Sequence, residues 1–288
     1  MPVESSVWIE ELYEDEHGRT MKLKVTNRLA TYDSKFQRIE IYDTKAFGRM
    51  LVLDGVFMTT EVDEMGYHEM LVHVPMCVHP NPRRVLVIGG GDGGTLREVL
   101  KHKEVEKADI CEIDGDVIRL CREYMPALSC SFDDPRVTIY TEDGAKFIAE
   151  RKKAYDVILV DSSDPIGPAA VLFSEEFYKN LSECLDDDGI ASTQSESIFY
   201  HPNVIITLAQ YNKKFFKVPS YYYTMVPTYP SGMIGFSFCS KKYHPINDLK
   251  EEKAKALVKQ LRYYNPDIHK GAFALPQFIR KKLEGILY

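Results

Sequence analysis

Arg84-Val85-Leu86-Val87-Ile88-Gly89-Gly90-Gly91-Asp92-Gly93-Gly94 is the stretch on which the fold turns. Its apolar half reads as a buried strand. The glycines that follow score as Gly89-x-Gly91-x-x-Gly94, a tight turn that lets a ligand approach the backbone closely. Asp92 is out of place there. A carboxylate in a turn that elsewhere serves phosphates has the wrong charge, which points to a cationic ligand.

Outward from this turn the text alternates. Val85–Gly90, Ala108–Ile113, Val137–Tyr140, Asp156–Asp161 and Gly189–Thr193 read as strands, separated by helices over Thr95–Lys101, Asp116–Tyr124, Ala145–Arg151 and Glu175–Cys184. That pattern predicts an α/β fold, a doubly wound parallel sheet. Two further β-rich runs, Val218–Val226 and Met233–Cys239, fit an antiparallel pair closing it, and Lys250–Arg262 reads as a solvated helix. Upstream, a helix over Asp63–His79 stops at Pro80-Asn81-Pro82, which marks the break before the alternating text. Before that helix come short alternating runs (Lys22–Val25, Gln37–Tyr42, Arg49–Leu53, Val56–Met58), with Asp54-Gly55 as a hairpin signal. The expected organisation is a small antiparallel β domain over 1–62 and a catalytic domain over 63–288. The β unit is too small to bury much alone and should pack on the main domain or on a second copy of itself.

Composition narrows the class. With 288 residues, 44% of them hydrophobic, the chain can build a sizeable core, and its net charge of −7 with dispersed lysines and arginines lacks a nucleic-acid footprint. No long apolar run or basic leader appears, so the expected setting is cytoplasmic, away from membranes. Six cysteines without a Cys-x-x-Cys pair read as reduced core residues.

In an open α/β sheet, ligands bind beyond the carboxyl ends of the strands. Four strand ends carry acids: Asp92 in the first turn, Glu112 with Asp114, Asp143-Gly144, and Asp161-Ser162-Ser163-Asp164-Pro165-Ile166-Gly167-Pro168. Glu112 lies 23 residues after Gly89, the spacing at which an acid meets ribose hydroxyls, so a nucleoside is expected. Nicotinamide enzymes and sulfonium-nucleoside transferases share this pattern. Asp143 suits an adenine amino group, although an Asp-Gly turn is also a commonplace helix start. Asp161 and Asp164, three apart after an apolar strand, would repel one another and bind an ammonium. The stretch to Phe173 could close over a substrate. His68-Glu69 with His73 approaches a zinc motif but is one residue too long, so no metal is expected.

Together these residues resemble the polyamine aminopropyltransferases, the spermidine synthase family. The resemblance runs from Phe47-Gly48-Arg49 and Leu53-Asp54-Gly55 through Thr59-Thr60-Glu61, Tyr67-His68-Glu69 and the motifs above. It continues to Pro227–Gly232, Tyr263-Tyr264-Asn265-Pro266 and Ala272–Pro276. It implies a Rossmann-like, methyltransferase-type sheet and transfer of the aminopropyl group of decarboxylated S-adenosylmethionine to putrescine, giving spermidine and 5'-methylthioadenosine. The donor is then a co-substrate, with no cofactor. Carried over residue by residue, donor contacts fall on Gln37, Asp92, Glu112, Asp143, Gly144 and Pro168. Polyamine contacts fall on Tyr67, His68, Asp92, Asp161, Ser162, Asp164 and Tyr229, and catalysis on Asp161 as general base with Tyr67. The resemblance also implies a homodimer or homotetramer.

Acceptor choice stays open among putrescine, agmatine, cadaverine and spermidine. A putrescine N-methyltransferase is a further reading, which Asp92 disfavours by suiting a donor without a carboxylate. A nicotinamide dehydrogenase would use the same glycine turn and Glu112 but leaves Asp143, Asp161 and Asp164 without a role. A non-catalytic module would bind a nucleoside without turnover.

Overall fold

The computed structural model describes residues 7–287. Five antiparallel strands come first: β1 (Val7–Glu10), β2 (Lys22–Asp33), β3 (Arg38–Thr44), β4 (Arg49–Leu53) and β5 (Val56–Thr60), paired in chain order. Asp54 and Gly55 both have positive φ (48° and 83°), the geometry a two-residue hairpin turn between β4 and β5 demands. Strand β2 is three times longer than the Lys22–Val25 run predicts, because polar residues continue it along β3 with bulges. Period-2 alternation then buries two faces. Ile39, Ile41 and Leu51 pack on Val117, Leu120 and Cys121 of the main body, while Leu23, Val25, Met50, Val52 and Phe57 form a second cluster. The small sheet thus packs on the main body.

Helix α1 (Glu64–Val78) follows and is buried almost all round, polar residues included. Its acids and histidines have partners. Glu69 accepts the backbone N–H groups of Arg262 (2.8 Å), Tyr263 (2.9 Å) and Tyr264 (2.7 Å), tying in the C-terminal segment. His73 sits 3.1 Å from Glu98 and 2.9 Å from His102.

The main sheet holds seven strands: β6 (Arg84–Gly89), β7 (Lys107–Cys111), β8 (Val137–Tyr140), β9 (Tyr155–Asp161), β10 (Leu185–Gln194), β11 (Val218–Met225) and β12 (Met233–Ser240). Their spatial order is β11-β12-β10-β9-β6-β7-β8, with β12 antiparallel between β10 and β11 and the other neighbours parallel. Connecting helices are α2 (Gly94–Val99), α3 (Gly115–Tyr124), α4 (Gly144–Ala149), α5 (Glu175–Cys184) and α6 (Pro202–Phe215). Helix α6 is an addition to the predicted elements, with Ile205, Leu208, Ala209 and Asn212 forming its buried stripe. The chain ends with α7 (Glu251–Leu257), α8 (Pro266–Ala272) and α9 (Gln277–Lys282). The predicted Lys250–Arg262 helix is shorter: α7 stops at Leu257 and tightens into a 3₁₀ turn over Val258–Gln260.

The fold is Rossmann-like, with a small antiparallel sheet ahead of it. Strand order reverses between β6 and β9, which is where such sheets place ligands. Five of the six cysteines are buried and Cys130 is exposed. No helix among the described residues is long and apolar enough to cross a membrane.

Candidate active site

The reversal of strand order is itself the site. Gly89 at the end of β6 pairs with Asp161 at the end of β9, so the glycine turn and the acid of the third loop meet directly. Gly89 and Gly90 take left-handed φ values of 78° and 69°, and a Cβ on Gly89 would stand 2.1 Å from the Asp161 carbonyl. Only glycine fits.

Two cavities open from this point. The first is lined by Gln37, Gly89–Asp92, Glu112, Asp143, Gly144 and Pro168, and by Tyr67, His68 and Asp161. The second is lined by Glu11, Tyr13, Glu14, Asp164, Gln194, Glu196 and His201. Met58, Tyr67, Ser162, Ser163 and Tyr229 line both and form the seam.

On the first side, Asp114 organises the acids. Its backbone N–H donates to Glu112 Oε1 (2.9 Å), and its own carboxylate receives Gln37 Nε2 (3.0 Å) and Ser34 Oγ (2.6 Å). Burial pushes Glu112 up to about 7, with the charges of Asp114 and Asp161 adding and the backbone N–H groups of Asp114 and Gly91 opposing. Asp143 caps α4 through Oδ1, accepting from Ala145 (2.9 Å) and Lys146 (3.3 Å). Gly144 is required for packing, since a Cβ there would meet Ile88 at 2.4 Å.

Around Asp92 runs a chain of alternating charges. Asp92 Oδ1 accepts the Gly94 N–H (2.6 Å) and lies 3.5 Å from His68 Nε2. His68 Nδ1 meets Glu64 at 2.7 Å, and Glu64 meets Arg97 at 2.8 Å. Burial works against every charge here, but the partners win. His68 titrates well above the usual imidazole range, and Asp92 and Glu64 are held below the usual carboxylate range. Gly94 makes room for this, as a Cβ would stand 2.3 Å from the His68 ring.

Beside the seam, on the first side, Asp161 Oδ2 accepts from Thr95 Oγ1 (2.6 Å). Burial and then the Asp92 charge push Asp161 up to about 6, against His68, Thr95 and Tyr67. The Tyr67 hydroxyl is buried and makes no hydrogen bond of normal geometry among the described residues, and neither does Ser162 Oγ. Burial and the neighbouring Asp161 hold Tyr67 protonated well above the usual phenol range. Tyr229 donates to the Met58 carbonyl at 2.8 Å.

Asp164 faces the second cavity, where Gln194 Nε2 approaches it at 3.3 Å. Burial, then Glu196, with Glu11 and Glu14 beyond, drive its proton affinity well above the usual carboxylate range. Among groups absent from the sequence reading, Glu196 follows the carboxyl end of β10 and was open to the same strand-end rule. Its φ of 66° is a strained value for a residue with a side chain. Glu11 and Glu14 follow β1 and reach the cavity only through the tertiary fold. Thr95 lies in the first turn of α2.

Sequence and structure comparisons identify relatives of the chain over nearly its whole length. A spermine/spermidine synthase domain model matches residues 64–251, and a spermidine synthase tetramerisation domain model matches 7–61. The chain belongs to the spermine/spermidine synthase family. It is 48% identical to the polyamine aminopropyltransferase of Leptospira biflexa serovar Patoc, over 95% of this chain and 97% of that one. With the Methanocaldococcus jannaschii polyamine aminopropyltransferase it shares 46% identity, over 98% and 96%. Among solved structures, the spermidine synthase of Thermotoga maritima superposes with a TM-score of 0.93 at 44% identity, covering 98% of this chain and 95% of that one. A spermidine synthase in complex with the transition-state analogue AdoDATO gives 0.94 at 44% identity, covering 98% and 96%. The chain is accordingly an enzyme of the polyamine aminopropyltransferase class.

Proposed function

We propose that this enzyme moves the aminopropyl group of decarboxylated S-adenosylmethionine to putrescine, releasing spermidine and 5'-methylthioadenosine. The observation that carries the reading is the seam: the cavity lined by Gln37, Glu112 and Asp143 and an acidic cavity join at Tyr67, Ser162 and Tyr229, with Asp161 beside them on the first side. In this reading Gln37, Glu112, Asp143, Gly144 and Pro168 hold the nucleoside, and Asp92 receives the donor's ammonium. Asp164 receives the far ammonium of the acceptor, while Tyr67, His68, Ser162 and Tyr229 shape its path. That a similar spermidine synthase binds the transition-state analogue AdoDATO supports aminopropyl transfer as the chemistry.

Asp161 is the general base. An alkyl ammonium with a pKa of about 10.4 costs roughly 4.6 kcal/mol to deprotonate at pH 7, and a carboxylate beside a sulfonium offsets part of that cost. The neutral amine then forms a C–N bond to the methylene next to sulfur as the C–S bond breaks, and the electron pair leaves on the thioether. The sulfonium supplies the leaving group, so the protein's work is alignment, proton removal and exclusion of water. The small sheet, with Val7, Trp8 and Leu12 exposed and its match to a tetramerisation domain, supports assembly as a homodimer or homotetramer. The unit over 1–62 would serve that role and 63–288 the chemistry, in the cytoplasm.

Decarboxylated S-adenosylmethionine and S-adenosylmethionine, each offered with putrescine, cadaverine, agmatine and spermidine, test the reading by mass spectrometry of products. Spermidine and methylthioadenosine from the decarboxylated donor and putrescine are expected. A methylated amine from S-adenosylmethionine would overturn it.

A further inference from the structure

The second cavity holds more carboxylates than a diamine can use, and most are already committed. Glu11 accepts the backbone N–H groups of Tyr13 (2.9 Å) and Glu14 (3.4 Å). Glu14 is paired with Arg19, whose Nε stands 2.9 Å away, and with His201 Nε2 at 3.1 Å. Glu196 has His201 Nδ1 at 2.8 Å and the Tyr13 hydroxyl at 3.4 Å. Asp164 lies beside Gln194 and Glu196 and has no cationic partner among the described residues.

His201 therefore faces a carboxylate from each ring nitrogen. Both contacts are within ion-pair distance, although Nδ1 makes no hydrogen bond of normal geometry. A carboxylate beside each nitrogen favours the imidazolium, since a neutral ring would turn a lone pair toward one of them. Arg19, stacked 3.8 Å over the Tyr200 ring, adds a second fixed cation behind Glu14. His201 lines the second cavity and not the first, and is not among the five residues that form the seam.

We propose that His201 is a fixed cation closing the remote end of the acceptor cavity, and that it selects diamines over triamines. One ammonium finds Asp164, which has no cation beside it among the described residues and whose crowding by Glu196 an ammonium would relieve. A further ammonium, as in spermidine, would run toward the imidazolium and guanidinium and find Glu14 and Glu196 occupied. This inference rests on the acceptor role proposed for the second cavity.

The test is the ratio of kcat/KM for spermidine to that for putrescine, read as methylthioadenosine released from decarboxylated S-adenosylmethionine. The wild type should favour putrescine. H201Q, neutral and similar in size, should raise the ratio by about tenfold or more, since like charges at contact distance repel strongly at low effective dielectric. H201K keeps the charge and should keep the preference. R19Q alters a partly exposed side chain, a safer site for folding, and should move the ratio in the same direction as H201Q. Equal use of both amines by the wild type, an unmoved ratio in H201Q and R19Q, or an equal rise in H201K overturns the inference while leaving aminopropyl transfer intact. A wild type releasing no methylthioadenosine with either amine overturns both.

Discussion

Asp161→Asn keeps the shape of the side chain and removes its charge and its proton-accepting capacity. The wild-type carboxylate receives Thr95 Oγ1 at 2.6 Å, and burial with the Asp92 charge pushes it up to about 6. An acceptor ammonium near pKa 10.4 lies about 3.4 units above pH 7, or roughly 4.6 kcal/mol. Losing a positioned base typically costs about 10²–10⁴ in rate, roughly 2.7–5.4 kcal/mol, so most of the deprotonation cost would return to the barrier. The expected kcat of D161N is lower by that factor, with methylthioadenosine affinity by calorimetry within a few-fold of wild type. The pH profile gives a second reading. A base must be unprotonated to act, so wild-type kcat/KM should fall about tenfold per pH unit below about pH 6. That acid limb should vanish from the residual activity of D161N. A variant within about fivefold of wild type, or one keeping the same acid limb, refutes the assignment of Asp161 as base.

Three further outcomes follow from the same geometry. Asp92→Asn should narrow the preference for the decarboxylated donor by about tenfold or more, because the carboxylate of ordinary S-adenosylmethionine would no longer face a like charge; competition kinetics with both donors would expose an unchanged preference and defeat the idea. Gly94→Ala places a methyl 2.3 Å from the His68 ring and should destabilise the fold by about 1–3 kcal/mol, lowering the melting temperature and weakening donor binding together. Glu64, Asp92 and Glu98 titrate below their unfolded values, despite burial, because His68, Arg97, His73 and Lys101 stand beside them. Their stabilisation is present above about pH 4.5 and drains as pH falls through the folded values, so thermal stability should drop steeply on acidification, and less steeply in E98Q.

Much of the fold was legible because its signals are local. The strand ending in Gly89, its glycine turn and the strand ending in Asp161 each declare themselves within a dozen residues, and the strand-end rule then collects Asp92, Glu112, Asp143 and Asp161 into one cleft. Helix α1 was legible as a helix but not as a buried one, since Glu64, His68, Glu69 and His73 look like a solvated face until their partners arrive from α2 and the C-terminal segment. The length of β2 escaped because its polar residues carry no core signal of their own and are held by pairing with β3.

Sequence alone determined that a glycine-turn cleft lined by several acids would form, because glycine φ values, strand periodicity and residue spacing are local properties of the chain. Tertiary structure decided which acids are free to bind and which are spoken for. Asp164 is left without a cationic partner among the described residues while Glu14 and Glu196 are paired with His201, and Asp92 shares its charge with His68. Those pairings join residues up to 187 positions apart, as with Glu14 and His201, and electrostatic energy depends on distance in space rather than along the chain.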